Sequence, residues 1–478
     1  MQTSRRHFLQ TAVSGLCFSV MAPSIAGNDA ARPNIILCMT DDQGWGDTGY
    51  NGHAVLQTPH LDQMAQEGLR FDRFYAAAPV CSPTRGSCLT GRHPARYGIL
   101  GANSGHLKEQ EVHLAEVLKA QGYRTGHFGK WHLGTLTTEM VDSNRGRPGA
   151  AEHFNPPWQQ SFDVCFSTEA KVPTYDPMIT PDHWTRLTPG EPFGTRYWTG
   201  PGEVAEDNLA GENPRIIMDR ALAFIQEAVQ QNQPFFAVIW FHTPHSPVVA
   251  SETRRAMYSD QPIEKQHYYG SITAMDEQLG RLRRSLQSMK AEDNTMLWFC
   301  SDNGPAGAGG GTHQQAGKRQ QGSPGPFRGR KGSLYEGGIR VPGLLVWPQK
   351  IKQPGVIQAA CTTSDYYPTI LDMLDVSPAD QPQPLDGVSL RPLIEGKQWQ
   401  RPKPMAFEYR KQRALIGNRY KIYSPNQDAP FELYDLIDDP SERIDRAGDK
   451  PEIVERMKQN FFAWQASCEA SRAGADYP

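Results

Sequence analysis

The chain has 478 residues, with 49 Lys and Arg against 52 Asp and Glu and a formal net charge of −3. That length exceeds what a single core organises, and it predicts two domains or one large domain with substantial insertions. The weakly acidic balance excludes an electrostatic footprint for nucleic acid, so any anion must be held by a local basic cluster. Taken in order, the chain opens with Arg5 and Arg6 ahead of a short apolar run, Thr11 to Met21, that ends in Pro23-Ser24-Ile25-Ala26. Twin arginines, an apolar segment and small residues predict a bacterial Tat-type signal over residues 1–26, and with it passage through the Tat export machinery to the periplasm. The run is shorter than the ~20 residues a membrane span needs and no later segment qualifies, so no stable membrane anchor is expected. Loss of residues 1–26 removes Arg5 and Arg6 and no acid, leaving a charge of −5.

Asn34 to Met39 is a continuous apolar run, the pattern of a strand buried on both faces, and it ends in Thr40-Asp41-Asp42-Gln43-Gly44. Similar runs recur at Phe235 to Phe241, Met296 to Cys300 and Gly343 to Trp347. Between them, Leu61 to Gly68, His113 to Gln121, Ile216 to Gln230 and Tyr268 to Lys290 read as helices, the last with apolar residues at Ile272, Met275, Leu279, Leu282 and Leu286. Strands alternating with helices predict an α/β domain with a large, mostly parallel central sheet. In such sheets the ligand sits beyond the carboxyl ends of the strands. That rule gathers Asp41 and Asp42, then His242 and His245, then Asp302 and Asn303. Residues about 140–212 lack helical period and Gly304 to Gly329 is a Gly- and Gln-rich loop; both read either as disordered insertions or as loops that wall a substrate cleft.

After Asp386 the texture changes to short strand-like pieces at Met405 to Tyr409, Arg413 to Ile416, Tyr420 to Tyr423 and Phe431 to Leu436, followed by a helix from Glu452 to about Cys468. The expected organisation is a catalytic α/β domain over residues 30–390 and a small antiparallel sheet plus helix over 391–478. Cys38, Cys88, Cys165, Cys300, Cys361 and Cys468 could form up to three bridges, but their wide spacing shows no disulfide framework. Cys38 and Cys300 lie in apolar runs and read as buried free thiols.

Asp41, Asp42, Asp302 and the amide oxygen of Asn303 make an all-oxygen set, which suits Ca²⁺ or Mg²⁺; three carboxylates so crowded would repel without a cation. In Gly129-Lys130-Trp131-His132, Lys130 and His132 fall on one side of an extended segment by the period of two. Lys331 follows Gly329-Arg330. Cys81-Ser82-Pro83-Thr84-Arg85-Gly86-Ser87 sets a thiol beside a guanidinium, in a loop that Pro83 keeps from continuing as a helix. Arg85, Lys130 and Lys331 converging on a divalent cation would form an anion site.

The Cys81-to-Arg85 motif, the following Leu89-Thr90-Gly91-Arg92, Pro33-Asn34-Ile35-Ile36 near the start and Glu432-Leu433-Tyr434-Asp435-Leu436 near the end together resemble the type I, formylglycine-dependent sulfatases. Thr84 stands where serine is also common. The resemblance covers nearly the whole mature chain and implies an alkaline-phosphatase-like fold and a sulfuric ester hydrolase. It implies that a formylglycine-generating enzyme oxidises Cys81 to formylglycine, and that Asp41, Asp42, Asp302, Asn303 and the modified Cys81 hold calcium, with magnesium the second choice. Arg85 and Lys130 would position the formylglycine and Lys331 would bind sulfate. His132 would hydrogen-bond the aldehyde hydrate and later act as base, while His242 would meet the leaving-group oxygen as general acid. One hydroxyl of the hydrate attacks sulfur, and deprotonation of the other expels sulfate by C–O cleavage. Export and aromatic loop residues (Trp158, Tyr175, Trp184, Tyr197, Trp198) point to a sulfated carbohydrate, with Arg186, His245 and His313 as sugar contacts. The competing expectations are a phosphodiester or phosphonate monoester hydrolase on the same scaffold, and a sulfated-glycan-binding protein without turnover.

Overall fold

Asn34–Thr40 is the strand around which the sheet assembles, because both of its neighbours, Phe235–Trp240 and Thr295–Ser301, run parallel to it. The computed structural model describes residues 32–182, 184, 187–307 and 321–477. The predicted signal at 1–26, Arg186 and His313 lie outside the described residues. The ten-stranded order is Gly355–Ile357, Leu69–Phe71, Gly343–Val346, Thr295–Ser301, Asn34–Thr40, Phe235–Trp240, Arg124–Lys130, Val164–Thr168, Trp198–Gly200 and Glu203–Val204. The five strands from Thr295–Ser301 to Val164–Thr168 are mutually parallel, and Gly343–Val346 and Trp198–Gly200 flank them antiparallel.

The unbroken apolar runs follow from burial on both faces. Ile35, Leu37 and Met39 enter one core with Cys88, Leu89, Leu114, Leu118, Tyr366 and Ile370. Ile36 and Cys38 enter the other, with Leu61, Met64, Ile216, Phe224, Ile272 and Leu279. Helices Pro59–Glu67, Asn213–Gln230 and Ile263–Ser288 thus cover one face, and Cys81–Thr90, Leu114–Ala120 and Tyr366–Met373 the other.

Two strands have no apolar run to announce them. Arg124–Lys130 carries Arg, Thr, two glycines, His and Lys, and is buried from Thr125 onward. Its Gly129 adopts φ 104°, and a Cβ there would meet the Trp240 carbonyl oxygen at 2.0 Å, so glycine is required where this strand presses on its neighbour. Val164–Thr168 falls inside the segment read as an irregular insertion.

The expected loop at Cys81 is a helix, Cys81–Thr90, every residue of which is buried. Pro83 is accommodated because the N–H it lacks is one of the first-turn donors that no helical carbonyl would receive.

Met405–Tyr409, Gln412–Ile416, Tyr420–Ser424 and Glu432–Asp435 form a separate antiparallel meander. Leu415, Ile422 and Leu433 on one face pack on Met457 and Phe461 of helix Pro451–Arg472. Phe407, Ile416 and Tyr434 on the other face pack on Tyr75, Val80, Leu334 and Ile339 of the catalytic region. All seven described cysteines are free and buried, Cys38 and Cys300 among them. Among the described residues no helix is long and apolar enough to cross a membrane.

Candidate active site

Parallel strands end on one edge of the sheet, and four of them deliver charged or nucleophile-facing groups there: Asp41 and Asp42, Lys130, His242 and His245, and Asp302 and Asn303. Helix Cys81–Thr90 points its N-terminus at the same place, with Cys81 as its first residue and Arg85 one turn on. Cys81 Sγ lies 3.3 Å from Asp41 Oδ1 and 3.3 Å from Lys331 Nζ. Lys130 Nζ donates to Asp41 Oδ2 at 2.6 Å, and Arg85 donates to Asp302 Oδ2 at 2.7 Å and to the Lys130 carbonyl at 3.1 Å. Lys331 Nζ also pairs with Asp42 Oδ1. The Asp42 backbone N–H donates to Asp302 Oδ1 at 3.1 Å, and Asn303 Nδ2 donates to Asp42 Oδ1 at 2.8 Å. Asp42 takes φ 69°, a left-handed backbone that aspartate tolerates and that turns the chain sharply after Asp41.

The segment carrying Lys331 is clamped from both sides. Its backbone N–H bonds the Pro305 carbonyl at 3.0 Å, and Gly332 N–H bonds that of Pro79 at 2.9 Å. From the C-terminal meander, Gln412 bonds Leu334 N–H at 3.0 Å and the Gly332 carbonyl at 2.8 Å.

The histidines are arranged differently from the sequence-based expectation. His242 has both ring nitrogens engaged, Nε2 with Thr168 Oγ1 at 2.7 Å and Nδ1 with Asn213 Oδ1 at 3.1 Å, and it is fully buried. His245, expected as a sugar contact, instead reaches the carboxylates, with Nε2 3.8 Å from Asp42 Oδ2 while Nδ1 bonds the Ser246 carbonyl. His132 does not follow Lys130 by a period of two: the strand ends at Lys130 and His132 takes φ 57°. Its Nε2 lies 2.7 Å from Asn103 Oδ1. Thr168, Asn213 and Asn103 were not foreseen; as neutral side chains on an unrecognised strand, a helix start and a loop, they carry no motif. Tyr197 and Trp198 are buried, the former stacked on Phe166 at 4.2 Å and the latter donating to Asp142 Oδ2 at 3.0 Å, so neither offers a face to a sugar.

A family model described as Sulfatase matches residues 33–376, and a second, N-sulphoglucosamine sulphohydrolase, C-terminal, matches residues 327–466. The chain belongs to the sulfatase family. The N-acetylgalactosamine-6-sulfatase of Sus scrofa is 33% identical over 390 residues, covering 77% of this chain and 67% of that protein. Arylsulfatase A of Homo sapiens is 30% identical over 491 residues, covering 92% and 89%. Among solved structures, Ps i-CgsB in complex with k-i-k-neocarrahexaose superposes with a TM-score of 0.76 at 25% identity, over 91% of this chain and 92% of that one. As a sulfatase the protein is a sulfuric ester hydrolase, and its large mixed sheet with a small antiparallel one is the alkaline-phosphatase-like fold.

The electrostatics of this sulfatase site are those of a cation-binding pocket. Burial opposes ionisation of Asp41 and Asp42, but Lys130 beside the first and Lys331 beside the second hold both carboxyls below the usual range. Asp302 goes the other way, pushed up to about 6 by burial and by Asp41. Burial holds His245 down to about 3 despite Asp41 and Asp42, so the ring is neutral. Asp41, Asp42 and Asp302 therefore face Arg85, Lys130 and Lys331, three charges against three. Asp42 Oδ2 and Asn303 Oδ1 are buried acceptors with no donor. Ligand atoms of Asp41, Asp42, Cys81 and His245 all lie within 4.8 Å of one another. Orphaned oxygens on a crowded carboxylate set fit a hard divalent cation, which would bring the six charged side chains to a net +2, the sign a sulfate ester requires.

Proposed function

We propose that this sulfatase removes sulfate from a sulfated carbohydrate, using a formylglycine made from Cys81 and a calcium ion held by Asp41, Asp42, Asp302 and Asn303. The observation that carries the reading is the position of Cys81 Sγ, at a helix N-terminus and 3.3 Å from both Asp41 Oδ1 and Lys331 Nζ. Sγ stands where the oxygens of the hydrated aldehyde would be. As a thiol it is poorly suited to attack, because burial and then Asp302 push its pKa up. The hydrated aldehyde would supply an attacking hydroxyl and a second one whose deprotonation releases sulfate, and the cation would lower the pKa of the attacking group.

The chain's own residues then divide the remaining work. Lys331, which touches Cys81 Sγ and keeps partial access to solvent, meets the negative charge that develops on the sulfuryl oxygens. Arg85 and Lys130, buried against Asp302 and Asp41, fix the carboxylates and set the field around Cys81. His245 is favoured over His242 beside the leaving-group oxygen, since both ring nitrogens of His242 are engaged while His245 Nε2 makes no hydrogen bond; with Nδ1–H committed to the Ser246 carbonyl, His245 acts as acid in the form that has taken up a proton on Nε2. His132 is the base, with Nδ1 buried and unpartnered.

A carbohydrate substrate is supported by the likeness to a protein named N-acetylgalactosamine-6-sulfatase and to one solved with a neocarrahexaose. The twin-arginine start supports Tat export, with formylglycine formation by a generating enzyme preceding it. The test is sulfate release from sulfated oligosaccharides of defined linkage, run beside an aryl sulfate and an aryl phosphate, with the mass of the Cys81 peptide measured in parallel. Turnover of at least one sulfated sugar and conversion of Cys81 to the aldehyde are expected. A large preference for phosphorus, or full activity with an intact thiol, would overturn the reading.

A further inference from the structure

Three polar side chains outside the charged cluster run outward from His132. His132 Nε2 lies 2.7 Å from Asn103 Oδ1, Asn144 Nδ2 donates to the same oxygen at 2.9 Å, and Lys171 Nζ donates to Asn144 Oδ1 at 3.3 Å. The polarity of this chain is fixed from its outer end. An ammonium group has donors and no acceptor, so the Asn144 atom that faces Lys171 is the carbonyl oxygen. Asn144 accordingly turns its NH₂ toward Asn103, and the Asn103 atom that receives it is a carbonyl oxygen in turn. That oxygen has no proton to give, so its bond to His132 exists only when Nε2 carries one. A neutral imidazole protonated on Nε2 keeps its lone pair on Nδ1.

Two further observations agree. His132 Nδ1 is buried and has no hydrogen-bond partner. Both ends of the inner contact sit in left-handed backbone, Asn103 at φ 61° and His132 at φ 57°, a conformation that a non-glycine residue keeps where surrounding contacts dictate it. Burial and then Lys130 and Arg85 keep the ring neutral.

We propose that Asn103, Asn144 and Lys171 are positioning residues that lock His132 in its Nε2–H tautomer, so that Nδ1 is the atom that accepts a proton in the active site. The catalytic half of this rests on the reading of His132 as base. None of the three residues belongs to the cation or sulfate cluster, and they act on the reaction only through the imidazole.

The tautomer is read directly from two-bond ¹H–¹⁵N correlation spectra of the histidine-labelled full chain, taken both with Cys81 unmodified and after maturation. His132 is assigned by the signals lost in His132→Gln. The wild type is expected to show protonation on Nε2 in both forms. Asn103→Leu removes the acceptor and Lys171→Met removes the group that sets the polarity, and each is expected to shift His132 toward a mixture with the Nδ1–H form. Asn103→Leu should also lower kcat by about 10²-fold with little change in KM. Asn103→Asp keeps an acceptor, so it should retain the Nε2–H form, recover much of the activity and move the acid limb of the kcat profile to higher pH. A wild-type ring protonated on Nδ1, or an unchanged ring in both Asn103→Leu and Lys171→Met, would overturn the lock. Wild-type turnover by His132→Gln would overturn the role of His132 as base and leave the measured tautomer intact.

Discussion

Cys81 sits among carboxylates that disfavour a thiolate and cations that favour an anion, and burial settles the balance against the thiolate. A side chain in that position contributes chemistry only through what it becomes. Cys81→Ala should reduce sulfate release to background while moving Tm by no more than a few degrees, because one buried sulfur is a small loss of volume; calorimetry beside an aryl sulfatase assay checks both. The two histidines separate by the same pair of measurements. His245→Ala should lower kcat by about 10²-fold with Tm nearly unchanged. His242→Ala should cost about 1–3 kcal/mol, since it leaves Asn213 Oδ1 without its partner in the interior and takes one of two partners from the Thr168 hydroxyl. Prolonged dialysis against a chelator should remove activity and lower Tm together, both returning with Ca²⁺, because Asp41, Asp42 and Asp302 would lose their shared counter-charge. Activity and Tm that ignore the chelator would remove the cation from the site.

At the level of elements, the strand-end rule made Asp41, Asp42, Asp302 and Asn303 legible from apolar runs alone, since those strands are buried on both faces and read as unbroken hydrophobic stretches. Arg124–Lys130 escaped the same rule because Phe128 is its one large apolar residue, set among Thr125, Gly126, His127 and Gly129, which are held by sheet neighbours that the local sequence does not contain. Position along a segment also misled. His242 is nearer the strand end than His245, yet the turn at Thr243-Pro244 brings the later residue to the carboxylates and leaves the earlier one bonded inside. The segment bearing Lys331 is tied to the C-terminal meander by a second charge group, in which Lys421 bonds Glu336 at 3.0 Å and Glu442 at 2.7 Å. Burial pushes the Glu442 carboxyl up from its ordinary 4.5 to about 7, with Lys421 opposing and Glu336 adding. The folded protein thus holds this proton more tightly than the unfolded chain does. The stability it contributes is full below pH 4.5 and is lost as pH rises through 7. Glu442→Gln keeps the neutral form at every pH, so its Tm relative to wild type should rise between pH 5 and pH 8. A difference that stays flat would argue against the raised pKa.

Across the whole molecule, the change of texture after Asp386 was readable as a second sheet, but its dependence on the first was not, because the contacts that join them are distant in sequence. Arg92 meets Asp476 at 2.7 Å, Arg401 meets Asp365 at 2.7 Å, and Tyr75 and Val80 complete the core under Phe407 and Tyr434. A chain ending at residue 390 should therefore aggregate or unfold rather than survive as a catalytic domain, and the full chain should melt in one calorimetric transition; two separated transitions would show independent folding. The seven free, buried thiols bear on how such a chain reaches its finished state. With no covalent cross-link among the described residues, folding does not depend on an oxidising compartment, and no described cysteine leaves a thiol on the surface to be oxidised afterwards. Pulsed alkylation then becomes a gauge of conformational opening: in the native protein the seven described thiols should take up almost no reagent, and each should be labelled at the rate at which its own part of the fold opens.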